Sequence, residues 1–343
     1  MKKLFYLTEA AINLQLFAAP NTNVTTDSGL SVEMKTFYDM TLIDEASAQL
    51  VHDQFGQKRP IPANGGKTIE FRKFGNLPKA TTALTEGVTP DGKKLSVTNL
   101  TATVSQYGDY IVQSDVLELT ALDNTILEAT KILGKQAGLT LDTVVRNVLI
   151  AGTNVNYCPS VANGVETEVS SRKNLTATSK LTVKVIQKVV AKLRANNVPT
   201  INGDYVAIIH PYVAYDLMRD PEWIDAHKYA QPENLYTGEI GKVAGVRFVQ
   251  TSEAAILKDD TCPTGLAVFC TLILGENAYG VTEISGGGLE TIVKQKGSAG
   301  TADPLNQRSS VGWKAMKTAE RLIENYMVRV ESCSEFSSSA SAN

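Results

Sequence analysis

The first residues that could do chemistry are Asn64 to Thr68, NGGKT, which resemble the end of a phosphate-binding loop. Such a loop has the pattern G-x-x-x-x-G-K-[ST], and its first glycine helps the backbone to turn around the phosphates. Ile61 occupies that position here, so the segment predicts a hairpin turn. The glycine-rich stretch Ile284 to Glu290 lacks the G-x-G-x-x-G spacing of a dinucleotide site and predicts a flexible loop.

The three histidines offer a second kind of site, because imidazole is a common metal ligand. His210 and His227 could be combined with Asp216 or Asp225, but no pair has the i, i+4 spacing of a metal-binding helix. A histidine that caps or hydrogen-bonds near Pro211 is the favoured interpretation. No G-x-S-x-G nucleophile elbow occurs, and the acids are scattered. The sequence therefore favours a protein that is not an enzyme, without catalytic residues, cofactor or metal, and a metal-dependent hydrolase remains the alternative from another class.

Composition narrows the class of protein further. The chain has 343 residues, 43% hydrophobic and 20% charged, with a net charge of -3. These values are typical of a globular protein and do not point to nucleic acid or an anionic membrane as the main partner. No apolar run approaches the ~20 residues of a membrane-spanning helix. The four widely spaced cysteines predict free thiols in a reducing compartment: Cys158, Cys262, Cys270 and Cys333.

The opening residues, MKKLFYLTEAAINLQLFAAP, could be a secretion signal or a retained arm. Glu9, Asn13 and Gln15 interrupt the apolar core, which in a signal peptide runs for ~7–15 residues. The sequence therefore favours a retained amino-terminal arm.

A basic, weakly patterned segment extends from Gly56 to Ser96. It holds eight Lys and Arg against three acids, and only TIEFRKF (Thr68 to Phe74) and its neighbours have the pattern of a strand. So long a segment is unusual inside a compact domain. Two interpretations stay open on composition: a projecting hairpin that finds partners on another molecule, and a solvated loop.

Helical and strand patterns follow one another without regular alternation, which predicts an α+β architecture. A long helix is predicted over Leu117 to Ile150, in which Gly134 and Gly138 could mark a bend. Further helices are predicted over Thr36 to Phe55, over Thr182 to Ala195, where the pattern is amphipathic, and from Pro211. Strands are predicted over Leu100 to Gln113, Tyr205 to Ile209, Val243 to Val249, Leu266 to Leu274 and Thr291 to Lys294. A loop is predicted over Asn154 to Thr178, and a mobile tail after Glu331.

Three long segments carry a resemblance to one family. They are Thr103 to Asp123, Ile208 to Ala254 (IIHPYVAYDLMRDPEW…) and Gly300 to Glu331 (GTADPLNQRSSVGWK…). These segments are similar to major capsid proteins of tailed bacteriophages, in the group typified by N4-like phages, which have the Hong Kong 97-type capsid fold. NLQLFA, Asn13 to Ala18, also resembles the start of capsid proteins from phages of Gram-positive hosts. The family-motif residues are His210, Pro211, Asp220, Trp223, Gly238, Glu239, Gly241, Asp303, Pro304, Gln307 and Trp313.

The resemblance implies a role for each part of the chain. The expected division is an amino-terminal arm (1–31), a first helix region (32–55), an extended loop with flanking strands (56–113), a peripheral domain with a spine helix (114–199), an axial domain (200–289), a return to the peripheral domain (290–331) and a flexible tail (332–343). The extended loop would lie across a neighbouring subunit. Its basic side chains could then meet acids of the neighbour's spine region, a hypothesis that concerns Lys58, Arg59, Arg72, Lys73, Lys93 and Lys94 with Asp115, Glu118, Asp123 and Glu128.

The resemblance also implies partners and a place of action. The chain would assemble with copies of itself, as hexamers and pentamers, into the icosahedral head of a phage around double-stranded DNA. A separate scaffolding protein, a portal and decoration proteins are further expected partners, with only non-specific contact to the DNA and no membrane. Assembly would take place in the host bacterial cytoplasm. An encapsulin-like compartment shell, which has the same fold, is the alternative of a related kind.

Overall fold

The computed structural model describes residues 40–46, 50–62, 66–74, 77–89, 91–120, 125–230, 241–282, 288–298 and 303–343. The predicted amino-terminal arm, and the candidate residues Asp123, Gly238 and Glu239, lie outside these residues. So does most of the glycine-rich stretch Ile284 to Glu290.

The described chain contains six α-helices, of which one is 26 residues long. In chain order they are α1 (40–46), α2 (Asp115–Thr120), α3 (Thr125–Ile150), α4 (Val183–Ala195), α5 (Pro211–Met218) and α6 (Pro221–Ala230), with 3-10 turns at Arg172–Asn174 and Glu324–Tyr326. The predicted amphipathic helix is confirmed as α4, and the Thr182 hydroxyl caps it by accepting from the Val185 amide. The predicted helix start at Pro211 is confirmed as well, with Pro211 in the first turn of α5.

One sheet of seven strands forms the centre of the largest core. Its strands are β5 (Val155–Tyr157), β8 (Tyr205–Ile209), β9 (Lys242–Val243), β10 (Val246–Gln250), β11 (Ile256–Leu257), β12 (Val268–Leu274) and β16 (Met327–Ser332), in the order β5-β16-β12-β8-β10-β9 with β11 against β12. Every residue of β8 and β12 is buried, because α4 and α5 pack on one face of this sheet and the last turns of α3, with Val145 and Leu149, pack on the other. The predicted strand over Val243 to Val249 is instead two antiparallel strands, since Ala244 and Gly245 make a turn at positive φ.

A second sheet, of five strands, lies beside α3. It contains β1 (Gln57–Lys58), β4 (Ser105–Ser114), β13 (Tyr279–Thr282), β14 (Glu290–Lys294) and the long β15 (Arg308–Arg321). Alternate residues of β15 face α3, where Val311, Trp313 and Ala315 pack against Leu133 and its neighbours. Helix α3 therefore covers one face of this sheet along β15 and β4.

Two small hairpins stand apart from the sheets. One joins β2 (Thr68–Phe74) to β3 (Val97–Thr103), and the other joins β6 (Ser160–Ala162) to β7 (Val165–Thr167). The second hairpin lies in Asn154 to Thr178, for which the sequence predicts only loop. The prediction missed it because its strands have three residues each, too few to show alternation.

The long helix α3 is unbroken through Gly134 and Gly138, so these glycines do not mark an interruption. Gly134 is a packing position: a Cβ there would lie 2.9 Å from the Leu42 carbonyl oxygen of α1. After α1 the chain is not helical from Leu50 to Phe55, although the sequence predicts a helix to Phe55. The Val51 and His52 amides instead donate to the Asp142 carboxylate of α3, at 2.9 and 2.7 Å.

The predicted segment boundaries do not coincide with those of the sheets. β16 falls in the predicted return to the peripheral domain (290–331), yet it pairs with β12 of the predicted axial domain (200–289). β13 falls in the predicted axial domain but pairs with β15. A strand can pair with any distant strand of suitable register, so continuous segments of sequence do not mark the boundary between the two sheets.

The predicted flexible tail, 332–343, is packed against the seven-stranded sheet. Cys333 is fully buried and its amide donates to the Ser179 carbonyl, while the Ala267 amide donates to the Ser337 carbonyl. Phe336 stacks on Tyr212 at 4.5 Å between ring centroids. The serine-rich composition predicted mobility, but small residues can also fill a tight site and satisfy its backbone groups.

Candidate subunit interface

The hairpin of β2 and β3 is exposed over most of its described length. Its strands pair antiparallel from Thr68 with Thr103 to Phe74 with Val97. Most residues of β3 are exposed, and so are residues 77 to 89 beyond the strands. The structure thus shows the antiparallel pairing of a hairpin, with exposed loop residues between its strands, and its partner on another molecule stays a proposal.

The base of this hairpin is fixed to the rest of the chain by one aromatic residue. Phe71 is buried and lies against Gly280 of β13, where a Cβ would come within 2.7 Å of the ring. The Arg59 guanidinium lies over the same ring, with its central carbon 5.8 Å from the ring centroid. Because only glycine leaves room for Phe71, the sequence at Gly280 determines where the hairpin joins the body.

The outer part of the hairpin carries large apolar side chains that the described residues leave exposed. Leu84 is 77% exposed, and Leu77, Val88, Leu95 and Val97 are also exposed. We call this set the hairpin apolar surface. Single exposed apolar residues are ordinary, but several on one projecting element are typical of a protein–protein contact.

The predicted basic residues have different positions. Lys58 Nζ lies 3.7 Å from Asp53 Oδ2, and the Arg59 guanidinium lies over the Phe71 ring. Both side chains therefore have contacts within their own chain. Arg72, Lys93 and Lys94 are exposed on the hairpin segment. The side chain of Lys73 lies outside the described residues. Three of the six predicted basic residues are therefore seen to be exposed on the hairpin segment.

The predicted acidic residues largely serve their own chain. The Asp115 carboxylate accepts the Val116 amide at the start of α2, Glu118 lies 3.0 Å from Lys296, and Glu128 lies 2.9 Å from Lys131. Asp123 is not among the described residues. Glu118 and Glu128 thus face cations of their own chain, and their contact with a basic partner on a neighbour stays a prediction.

A second exposed apolar surface lies at the open face of the five-stranded sheet and was not predicted. It consists of Tyr110, which is 68% exposed, with Val112, Val116, Leu119 and Leu305. No residue of α2 is buried, and the backbone amide of Asp115 donates to the Gln307 carbonyl, so α2 is held beside the loop that carries Leu305. A shallow cavity of about 440 Å³ continues this surface across β4, β15 and β14. The sequence shows the alternation of Tyr110 and Val112 but not which face of the strand is exposed.

The family-motif residues around α5 and α6 have structural roles. His210 is buried and its Nδ1 accepts the Tyr212 amide at 3.1 Å, which caps α5 ahead of Pro211. Asp220 accepts the Glu222 amide at 3.1 Å and the Val183 amide at 2.8 Å, so it links the starts of α6 and α4. Trp223 is buried in the core of the seven-stranded sheet. The predicted structural role of His210 is thus confirmed.

The family-motif residues near β15 organise its entry. The Asp303 carboxylate accepts the Arg308 amide at 2.8 Å, and Pro304 follows it on the surface. The carbonyl of Gln307 accepts the Asp115 amide. The indole of Trp313 donates to Gln136 of α3 at 3.3 Å, which ties the sheet to the helix. Gly241 precedes β9 with φ of 65°, a backbone conformation that suits glycine.

The described chain offers little for catalysis. Among its residues, no group of three or more His, Cys, Asp and Glu side chains is arranged to hold a metal ion. Burial lowers the pKa of His210 to about 4, so its imidazole is neutral at pH 7 and serves as the acceptor that the cap requires. His227 has no described side chain, so the alternative metal site with His210 has no geometric support.

All four cysteines are buried free thiols, as predicted. Burial raises the pKa of Cys270 to about 12 and that of Cys333 to about 11. These thiols are therefore poor nucleophiles in the folded protein. Among the helices that the structure describes, none has the length and apolar composition needed to cross a membrane.

Comparison with known proteins agrees with this arrangement. A family model described as "Phage capsid protein" matches residues 97–321. No curated protein matches the chain significantly.

Solved structures match over most of the chain. The capsid of cyanophage P-SCSP1u is 15% identical with a TM-score of 0.63, covering 82% of this chain and 87% of the other. The capsid of Ralstonia phage GP4 is 12% identical with a TM-score of 0.63, covering 83% and 88%. The capsid of cyanophage Pam1 is 11% identical with a TM-score of 0.62, covering 84% and 92%. At these identities the structures establish the fold, and the family model, which spans more than half of the residues, establishes the family. The chain belongs to the phage capsid protein family and has the Hong Kong 97-type fold.

Proposed function

We propose that the chain is a major capsid protein that assembles as hexamers and pentamers into the icosahedral head of a tailed phage and encloses double-stranded DNA. The proposal includes the N4-like group, as the resemblance at Ile208 to Ala254 implies. Its place of action is the virion head, with assembly in the host bacterial cytoplasm. The protein has a structural role and catalyses no reaction.

The observation that carries this proposal is the hairpin apolar surface. Residues Leu77, Leu84, Val88, Leu95 and Val97 are exposed on an element whose base is fixed by Phe71. Burying such side chains stabilises a contact by about 25 cal/mol per Å² of apolar area. A shell repeats the same contact at every subunit, so a modest energy per hairpin accumulates over the whole assembly. The neighbouring subunit is the partner that we propose for this surface.

Charge has a smaller part in the proposed contact than composition suggested. Arg72, Lys93 and Lys94 are exposed on the hairpin segment, and each exposed ion pair contributes about 0.2–1 kcal/mol. Such charges steer encounter and register more than they add affinity. Reversal of Arg72, Lys73, Lys93 and Lys94 to Glu is expected to slow assembly, and an unchanged shell yield would exclude charge steering by this segment.

Further partners follow from the proposed role. A separate scaffolding protein, a portal and decoration proteins would join the shell, and packaged DNA would meet it without sequence preference. The net charge of -3 agrees with an inner wall that holds DNA without binding it tightly.

The decisive experiment is electron microscopy of the overexpressed chain together with one variant pair. Val88→Asp places a charge on the hairpin apolar surface, while Val165→Asp places one on the β6–β7 hairpin at nearly equal exposure, 63% against 65%. We expect closed shells from the unaltered chain and from Val165→Asp, and unassembled subunits from Val88→Asp. Equal shell yields from both variants would exclude the hairpin as the main contact. If the unaltered chain gives only monomers or small rings, the same three chains are compared after addition of a candidate scaffolding protein.

A further inference from the structure

The segment 332–343, which packs against the seven-stranded sheet, has two parts that differ in burial. Residues 332–337 are mostly buried and include the ring of Phe336, which stacks on Tyr212. Residues 338–343, which we call the strap, are exposed except for Ala340. Lifting the strap would therefore bring only one buried methyl group into water, so the hydrophobic effect holds it weakly.

Hydrogen bonds from one asparagine side chain hold the outer end of the strap. The Asn343 side-chain nitrogen donates to the carbonyls of Ser252 and Ala254, at 3.2 Å each. The Asn343 Oδ1 accepts the Ile256 amide at 3.0 Å. The donors and the acceptor of this side chain are thus all paired with the connection from β10 to β11, an arrangement that a primary amide fits and an apolar side chain does not.

The same residue also contacts α3. The Arg146 guanidinium donates to the backbone carbonyl of Asn343 at 3.1 Å, and its other terminal nitrogen donates to the Glu253 carbonyl at 3.0 Å. Arg146 is buried, and a buried cation needs such acceptors because it has lost its contacts with water. Asn343 therefore joins the second half of α3 to the connection from β10 to β11.

Helix α3 is the element that both large sheets share. Leu133 packs against β15 of the five-stranded sheet, whereas Val145 and Leu149 pack with Ile208 of the seven-stranded sheet. The contact with the strap, at Arg146, falls in the same turn as Val145. A closed strap thus adds a polar attachment between α3 and the seven-stranded sheet, beside the apolar one.

We infer that the strap is a reversible lock, which opens and closes while residues 332–337 stay bound. In the closed state Asn343 is a positioning residue, which keeps the Arg146 guanidinium and the Ile256 amide away from solvent. In the open state both groups are exposed to water and α3 loses its polar attachment. Because opening breaks few apolar contacts, it requires less free energy than unfolding of the sheet beneath. The lock acts within one subunit and does not rest on the assembly proposed above.

Chemical modification of arginine measures the opening in the full chain. Phenylglyoxal reacts with accessible guanidinium groups, and mass spectrometry gives the rate at each arginine. The side chains of Arg146 and Arg329 are only 4% and 11% exposed, so both should react slowly in the unaltered chain. We expect Asn343→Ala to speed the modification of Arg146 at least fivefold and to leave Arg329 unchanged. Ser341→Ala, at an exposed position of the strap, is the matched control and should change neither rate.

Two results of this experiment would overturn the inference. Equal rates at Arg146 in the unaltered and Asn343→Ala chains would show that Asn343 does not keep the guanidinium from solvent. Faster modification of Arg146 and Arg329 together would mean that the sheet itself loosens, and that the strap does not open as a separate unit.

A second variant separates opening of the whole strap from the loss of one local contact. The Lys258 ammonium donates to the Ala340 carbonyl at 2.7 Å, and Lys258→Met removes this bond without altering Asn343. Weakening one attachment should raise the open fraction, so we expect several-fold faster modification of Arg146 and several-fold faster hydrogen exchange at the Ile256 amide. The amides of β12 should exchange as in the unaltered chain. Unchanged rates at both reporter groups would overturn the opening of the strap as a unit.

Discussion

The two large sheets of this protein differ in how completely their own chain covers them. In the seven-stranded sheet, β8 and β12 are buried along their whole length by helices and by the carboxy-terminal segment. In the five-stranded sheet, α3 covers one face, while Tyr110 and Val112 on the other face are exposed. The first sheet is therefore covered by its own chain, whereas the second sheet and the hairpin have apolar area that the described residues leave exposed.

This difference separates stability from assembly. Substitutions in the seven-stranded sheet should lower the free energy of unfolding, and substitutions on the exposed surfaces should leave it almost unchanged while affecting association. Substitutions at the junction between the sheets, where Asp142 accepts hydrogen bonds from the segment Leu50 to Phe55, should lower the free energy of unfolding by an intermediate amount.

The largest loss of stability is expected from Glu331→Ala in the seven-stranded sheet. The Glu331 carboxylate is fully buried, accepts two hydrogen bonds from the Arg172 guanidinium at 2.7 Å each, and lies 2.9 Å from Arg329. Its removal leaves both guanidinium groups without their anion, and should lower the free energy of unfolding by about 3–5 kcal/mol. Urea unfolding followed by circular dichroism measures this. Glu168→Ala, which removes an exposed ion pair with Lys188, is the control and should cost less than about 1 kcal/mol.

At the junction, Asp142→Ala should have the next largest effect. It leaves the partly buried amide of Val51 and the buried amide of His52 without an acceptor, and it removes the contact of the carboxylate with His52 Nδ1 at 2.7 Å. We expect a loss of about 2–3 kcal/mol, because unpaired buried donors are costly. Asp142→Asn keeps one acceptor oxygen and should lose less. Equal losses for the two variants in urea unfolding would show that the acceptor oxygen is not what matters.

A change in the pH dependence of stability is expected from His210→Asn. Burial lowers the pKa of His210 from 6.5 to about 4, so below pH 6.5 the unfolded chain binds a proton that the folded chain does not. The contribution of neutral His210 to the free energy of unfolding is fully present above pH 6.5, and it is lost as the pH falls towards 4. Asn can still cap α5 but does not titrate. Urea midpoints at pH 7 and pH 5 should therefore differ less for the variant than for the unaltered chain, and parallel changes would contradict this.

The smallest effect on folding is expected from the exposed surfaces. Leu84→Ala on the hairpin and Leu119→Ala on α2 should change the free energy of unfolding by no more than about 0.5 kcal/mol, because both side chains are already in solvent. Sedimentation of the same samples should show weaker association. A destabilisation above 1 kcal/mol, or about a factor of 5 in the folding equilibrium, would mean that these residues pack within their own chain.

The elements that sequence could predict are those determined by neighbouring residues. Helix α4 follows from its apolar period and from Thr182 as its cap, and the turn from β8 into α5 follows from His210 and Pro211. The hairpin follows from the strand pattern of TIEFRKF and the turn-forming residues beyond it. Each of these signals lies within a few residues of the structure that it predicts.

The elements that sequence missed depend on distant partners. Glu118 forms an ion pair with Lys296, which lies far along the chain. The sequence therefore did not show whether the partner of Glu118 lies in its own chain or in a neighbouring subunit. The segment 332–343 is ordered by Ser179, Tyr212 and Ala267, none of which its own composition reveals. The exposure of Tyr110 depends on which face of the sheet α3 covers, and a strand pattern shows alternation but not which side is inside.

The attachment of the hairpin at Phe71 also has a geometric consequence. Because the strands of the hairpin pair only with each other in the described structure, the ring of Phe71 against Gly280 can serve as a pivot. From Phe71 the strand continues for three residues to Phe74, about 10 Å at a rise of about 3.3 Å per residue. A rotation of about 10° at the pivot would therefore move Phe74 by about 2 Å, and residues farther along the hairpin by more. One subunit could in this way meet neighbours at slightly different angles, as a closed curved surface requires, while its two sheets keep the same internal packing.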